Sequence, residues 1–255
     1  MPTTRRLLLA AGSMLPALAT LGARAQGVTP AIFAAGATKH AVEDVQAALR
    51  AAGRPVPSAI FDTVGALRDR ILAGERPAVT LLSAEAIDAI RARGIGVGAP
   101  VLEVGRTGVG LATPAGRALP DIRTPEAFRA ALLAAGSIAY ADPARGATAG
   151  RHVAATIERL GLTEALRPKL RLVPFGVEGI SMIARGEVDL AFSQATEIID
   201  RPGVQLVGLL PDALNLWTVY RAAVIADGED ARQALALFGT EAAKAAFAKI
   251  GFRAG

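Results

Sequence analysis

From residue 31 onward, short apolar runs alternate with longer segments whose apolar residues recur at helical spacing, and this confines the chain to an α/β architecture. Ala31 to Ala35 is extended and leads through Gly36-Ala37-Thr38 into a helix with Val42, Val45, Leu49 and Ala52, ended by Gly53. Val56 to Phe61 reads as a strand, Val64, Leu67 and Ile71 as a helix face, and Ala78 to Leu82 as a strand. Ser83 then caps a helix carrying Ile87 and Ile90. The texture changes at Val101 to Val104 and Val109 to Ala112, two extended runs separated by Gly105-Arg106-Thr107-Gly108. Alternation resumes at Thr124-Pro125-Glu126, a helix start with Pro in the first helical position. It continues through strands at Ser137 to Ala141, Leu170 to Val173, Val188 to Phe192 and Val204 to Leu209, with helices at Thr148 to Leu160 and Val177 to Ala184. A long apolar run from Leu216 to Ile225 precedes two terminal helices, Asp230 to Phe238 and Thr240 to Ile250. The pattern predicts two βα blocks joined by two extended crossings.

The first 25 residues have a different character. Arg5 and Arg6 precede an apolar run from Leu7 to about Ala19, and Ala23-Arg24-Ala25 fits a small-residue cleavage site, so residues 1–25 are expected to be an export signal. Gly12, Ser13 and Pro16 interrupt the run, whereas a membrane-spanning helix needs about 20 predominantly apolar residues. The two arginines fit a twin-arginine signal and an ordinary Sec signal alike. Removing 25 of the 255 residues leaves 230, enough for one large domain or two compact lobes. The expected division is lobe 1 over 26–104, lobe 2 over 105–216, and a return crossing with C-terminal helices on lobe 1 over 217–255. Loss of Arg5, Arg6 and Arg24 lowers the formal charge from +5 to +2, and the remaining basic residues are scattered, so a nucleic-acid partner is not expected. The chain has no cysteine, which removes disulfides, thiolate sites and a lipoprotein acylation point. An exported chain without such an anchor is expected to be soluble in a periplasm.

Most enzymatic constellations are missing. There is no Gly-x-Ser-x-Gly elbow, no phosphate-cradling loop of the Walker type and no His-Glu-x-x-His. His40 and His152 stand in different blocks, each in the first turn of a predicted helix, and read as solvated side chains; no metal is assigned. Gly94-Ile95-Gly96-Val97-Gly98 follows a helix and runs into Pro100, so it reads as a loop and not as a dinucleotide fingerprint. Glu43, Asp44, Glu158 and Glu178 fall on helices, where carboxylates usually face water. No cofactor is implied.

What recurs is a strand that ends in small or hydroxyl residues followed at once by a helix. Four such turns stand out: Ala35-Gly36-Ala37-Thr38, Asp62-Thr63-Val64-Gly65, Gly146-Ala147-Thr148-Ala149-Gly150 and Phe175-Gly176-Val177-Glu178-Gly179. Open α/β sheets bind ligands beyond the carboxyl ends of their strands, where helix N-termini present unpaired N–H groups with partial positive charge. Two turns fall in each block, which suits a small polar or anionic ligand gripped between lobes. The plainer reading is that Thr38, Thr63 and Thr148 cap helices.

Several segments resemble the solute-binding component of ABC importers, in particular the molybdate-binding protein family and its relatives. They are Ile32-Phe33-Ala34-Ala35 with its small-residue turn, Val64-Gly65-Ala66-Leu67, and Ala139-Tyr140-Ala141-Asp142-Pro143 with Thr148-Ala149-Gly150 after it. Gly186 to Phe192 resembles the family's cleft strand, and Ala246 to Phe252 its terminal helix. The resemblance implies a type II periplasmic-binding-protein fold of two α/β lobes that close on a ligand by hinge motion about Val104 to Val109 and Leu216 to Val224. It implies a site drawn from Gly36, Ala37, Thr38, Thr63, Val64, Ala147, Thr148, Val177 and Gln194, with backbone donors at Ala37, Val64, Ala147 and Val177. Ala37 stands where the family's first turn supplies a serine, and Ser193 or Gln194 where a tyrosine ends its cleft strand. Expected partners are a small ligand, either a molybdate-like oxyanion or a small organic acid, and an ABC permease in the inner membrane, with the chain itself a monomer. Two other classes stay open: an exported hydrolase or isomerase on the same fold, using Asp62 with Thr63, and a periplasmic ligand sensor for a membrane receptor.

Overall fold

The computed structural model describes residues 32–254, so the expected export signal lies outside the described residues. The first half opens with β1 (Ile32–Ala35), α1 (Lys39–Ala51), β2 (Ala59–Asp62), α2 (Val64–Leu72), β3 (Val79–Ser83) and α3 (Ala84–Arg91). β1 and β3 are buried along their whole lengths, as parallel strands covered by helices on both faces must be. Thr63 and Ser83 end their strands and cap the helices that follow, each side-chain oxygen accepting from an amide three residues on. β2 starts at Ala59, three residues later than the apolar pattern suggests. Pro55 precedes the missing stretch and Pro57 lies within it; neither brings an amide hydrogen to a ladder, and the Pro57 carbonyl is taken by Gln46 Nε2 at 2.8 Å.

β4 (Val101–Pro114) links the halves. The sequence reads as two extended runs broken by a polar tetrapeptide, but the chain stays extended throughout. A bulge between Glu103 and Gly105 absorbs the irregularity, and Gly105 sits at φ +129, a conformation that favours glycine. The second half adds α4 (Pro125–Ala134), β5 (Ile138–Ala141), α5 (Thr148–Arg159), the single turn α6 (Thr163–Leu166), β6 (Leu170–Val173), α7 (Gly176–Ala184), β7 (Leu190–Gln194) and β8 (Val204–Leu209). β9 (Trp217–Val224) then returns to the first half, followed by α8 (Glu229–Leu237) and α9 (Glu241–Lys249).

Strand order is β2-β1-β3-β9-β4-β7-β5-β6, with β8 paired to β4. Val101 to Gly108 of β4 pair antiparallel with β9, whereas Val109 to Ala112 pair with β7, so one strand serves two sheets. The chain passes from one half to the other within β4 and returns between β8 and β9. Each half has its own buried centre. Phe33, Leu67, Leu81, Ile87, Tyr220 and Phe247 belong to the first, and Leu111, Phe128, Leu132, Ile157 and Phe192 to the second. Burying each such side chain stabilises by about 1.5–3 kcal/mol.

Candidate functional site

The carboxyl ends of β1 and β2 in the first half, and of β5, β6 and β7 in the second, point toward each other. Between them lies a cavity of about 230 Å³. Gly36 and Ala37, in a 3-10 turn after β1, border it together with Thr63 and Val64 at the start of α2. Ala147 and Thr148 at the start of α5, Val177 at the start of α7, and Gln194 at the end of β7 complete the opposite side. These are eight of the nine residues named from sequence. Thr38 is not brought to the cavity. It is fully buried, and its hydroxyl donates back to the Ala35 carbonyl at 2.8 Å, so it supports the turn from behind.

The N-termini of α2, α5 and α7 therefore meet at one cavity, two from one lobe and one from the other. First-turn amides have no intrahelical acceptor, and three helix ends together impose a positive potential on the enclosed space. Two polar atoms on the cavity walls lack any hydrogen-bond partner, Thr148 Oγ1 and Gln194 Oε1. Gln194 is 3% exposed, its amide nitrogen donating to Thr218 Oγ1 at 3.3 Å. A buried polar atom left without a partner costs about 1–3 kcal/mol.

The lobes already touch across the rim. Thr63 Oγ1 donates to the Arg145 carbonyl at 2.6 Å, and the Gly65 amide donates to the Gly146 carbonyl at 3.1 Å. A Cβ on Gly65 would lie 2.7 Å from Gly146 Cα, so the backbones meet only because neither residue has a side chain there. A second cross-lobe contact joins Arg201 Nη2 to His40 Nε2. His40, read from sequence as solvated, is half-buried instead, because α1 packs its first turn against the other lobe. Burial and the Arg201 guanidinium hold the imidazole below the ordinary histidine range. His152 also has a partner, the Leu214 carbonyl at 2.7 Å.

Several wall residues escaped the sequence reading. Lys39, next to the first turn, borders the cavity and lies over the Phe61 ring at 5.6 Å. Its place beside Thr38 was the available signal. Glu197 belongs to a 3-10 turn directly after β7. It is buried at 9% exposure, it lines the cavity, and Ser193 Oγ is hydrogen-bonded to its Oε2. Burial pushes the Glu197 carboxyl up against the opposing pull of Ser193, the Gln194 amide and Arg201. Tyr220, from the centre of β9, also lines the cavity; burial and the nearby Glu197 raise its hydroxyl well above the ordinary range. Asp62, which the sequence did single out with Thr63, is on the wall as well, its Oδ1 accepting from the Thr63 amide at 2.7 Å. Among the described residues, no three His, Cys, Asp or Glu side chains converge as a metal ion requires.

Two α/β halves that share strand β4 and are joined by two crossings, and that meet over a cavity ringed by strand-to-helix turns, define a two-lobed binding protein of the periplasmic type. The chain belongs to the family of bacterial extracellular solute-binding proteins, whose pattern matches residues 30–253. A solute-binding protein of this kind works with a small-molecule ligand and an ABC permease. The chain is 30% identical over 234 residues to an aconitate isomerase from a Pseudomonas species, covering 90% of this chain and 88% of that protein. In structure it is similar to the periplasmic molybdate-binding protein of Azotobacter vinelandii, with TM-score 0.72, 18% identity, and coverage of 89% of this chain and 99% of that one. The sulfate-binding protein SubI of Mycobacterium tuberculosis gives TM-score 0.65 at 18% identity, over 88% of this chain and 86% of that one. At these identities the two structures speak for the fold. No helix among the described residues is long and apolar enough to cross a membrane.

Proposed function

We propose that this protein captures a small organic carboxylate between its lobes in the periplasm and hands it to an ABC permease. The observation that carries the reading is the meeting of three helix N-termini at a cavity whose walls also hold Lys39. The helix ends and the ammonium group attract and orient an anion. The rest of the lining favours an organic anion over a tetrahedral oxyanion. Phe61, Val64, Phe175 and Val177 offer apolar surface that a carbon skeleton covers and molybdate does not. Ala37 supplies only its backbone amide to the first turn, and Asp62 and Glu197 place carboxyl groups where a compact dianion would be surrounded by donors in an oxyanion site.

Thermal unfolding of the full chain, purified after export, against aconitate, citrate, succinate, molybdate and sulfate tests the reading. Ligand at 100 times its dissociation constant stabilises the folded state by about 2.7 kcal/mol. The expected result is stabilisation by one or more of the carboxylates; stabilisation by molybdate or sulfate alone refutes it.

A second reading is favoured by the 30% identical aconitate isomerase and by the presence of Asp62 and Glu197 on opposite lobes of one cavity. Two carboxyl groups flanking a bound acid are a chemically sufficient pair for moving a proton between its carbon atoms. On this reading the chain interconverts aconitate isomers. Chromatography of one isomer incubated with the protein checks it: turnover that Asp62→Asn and Glu197→Gln each abolish supports the enzyme, and one-to-one binding without turnover rejects it.

A further inference from the structure

Glu197 is an unusual residue to find in the cavity of a protein that takes up an anion. Its carboxyl is buried in a turn of the second half that packs against the turn after β1 in the first. Oε2 is hydrogen-bonded to Ser193 Oγ, while a Cβ added to Gly36 in the other lobe would lie 2.6 Å from Oε1. The same crowding excludes a side chain from Gly176, whose Cβ would stand 2.1 Å from Ser193 Oγ and 3.1 Å from Glu197 Oε2. Two glycines thus make room for the Glu197–Ser193 pair on the cavity floor, so the carboxyl faces whatever the cavity holds.

The charged and titratable groups around it do not favour an anion at that point. Arg201 is the cation beside Glu197 on its own segment, and its guanidinium is engaged by His40 Nε2 and by the Glu197 carbonyl at 3.2 Å. On α1, Lys39 is shared with Glu43 at 3.8 Å. β2 contributes the carboxyl of Asp62 and β9 the hydroxyl of Tyr220, while α7 turns only Gly176 and Val177 toward the cavity. An ionised Glu197 would therefore stand buried and repel an anionic ligand, and Ser193, the Gln194 amide and Arg201 offset its burial only in part.

The geometry points to Glu197 standing in the cavity as a neutral acid that donates its proton, in a hydrogen bond, to a carboxylate oxygen of the bound ligand. The proton stays shared along that bond, no covalent bond breaks, and the ligand's charge is met without a buried arginine. Burial raises the carboxyl in the direction this requires. The inference rests on the carboxylate reading above. It makes binding proton-linked, since once Glu197 ionises, affinity falls by up to tenfold per pH unit.

Calorimetric titration with aconitate from pH 5 to pH 9, on the wild type and Glu197→Gln, tests this. The ligand's own titration is common to both proteins. The expected result is a wild-type affinity that falls with pH more steeply than that of Glu197→Gln, by at least tenfold over the range. Infrared spectroscopy of the ligand-free wild type at pH 7 should show a protonated carboxylic acid band that Glu197→Gln lacks, and this readout does not depend on the variant binding ligand. Parallel pH profiles, or a wild type with no protonated-acid band at pH 7, overturn the inference and leave carboxylate capture standing. A wild type that binds no carboxylate at any pH overturns both.

Discussion

At Gly36 and Gly176 the absence of a side chain leaves room for the Glu197–Ser193 pair. A methyl group at Gly36 would press on Glu197 Oε1 and one at Gly176 on Ser193 Oγ, both in the cavity floor. Gly36→Ala and Gly176→Ala are each expected to lower ligand affinity at least tenfold while the unfolding temperature moves little, because the strain is relieved by displacing cavity side chains and not by opening the core. Isothermal titration together with thermal unfolding separates the two effects. Residues such as Ala37, Val64, Ala147 and Val177 were legible in the sequence because a strand-to-helix turn presents its backbone regardless of side chain. Glu197 was not legible. A glutamate on a short helical segment ordinarily faces water, and only the packing of its turn against Gly36 buries it. Thr38 was misplaced for the converse reason: its hydroxyl found the Ala35 carbonyl and left the cavity to its neighbours.

Between elements, the contacts that matter most join the turn before α2 to the turn before α5. Thr63 has two duties, as its Oγ1 accepts from the Ala66 amide at the head of α2 and donates to the Arg145 carbonyl of the opposite lobe. Thr63→Ala is expected to cost about 1 kcal/mol from the cap alone. For a chain of this size that lowers the unfolding temperature by about 2–4 °C. It should also weaken ligand binding, since the closed form loses one of its cross-lobe bonds. The His40–Arg201 contact adds a pH dependence. A histidine held below its usual range favours the neutral form in the folded state, so its contribution is present above the unfolded value of about 6.5 and is lost as pH falls through the lower folded value. Acidification places an imidazolium against Arg201. The fall in unfolding temperature between pH 7 and pH 5 is expected to be larger for the wild type than for His40→Gln; equal falls would show that this contact carries no pH sensitivity. Helix starts at Thr63, Ser83 and Thr124 were readable because capping is local chemistry. The start of β2 was blurred by Pro55 and Pro57, and β4 read as two runs because a bulged strand and a broken one leave the same glycines.

For the whole molecule, alternation of apolar period was enough to show two α/β blocks and the extended segments between them. The sharing of β4 between two sheets could not be read in advance, because pairing partners 79 to 122 residues apart leave no local mark. With that sharing, each half keeps its own buried centre, and the chain crosses between them on extended backbone. The cavity unites strand ends, helix ends and the Glu197 carboxyl, and the proposed capture of an organic anion draws on all three. Calorimetric titration of the full chain with aconitate and, separately, with molybdate at neutral pH tests this most directly. One-to-one binding of aconitate, with molybdate giving no heat or far weaker binding, is the expected result; tight one-to-one binding of molybdate with none of aconitate would contradict it.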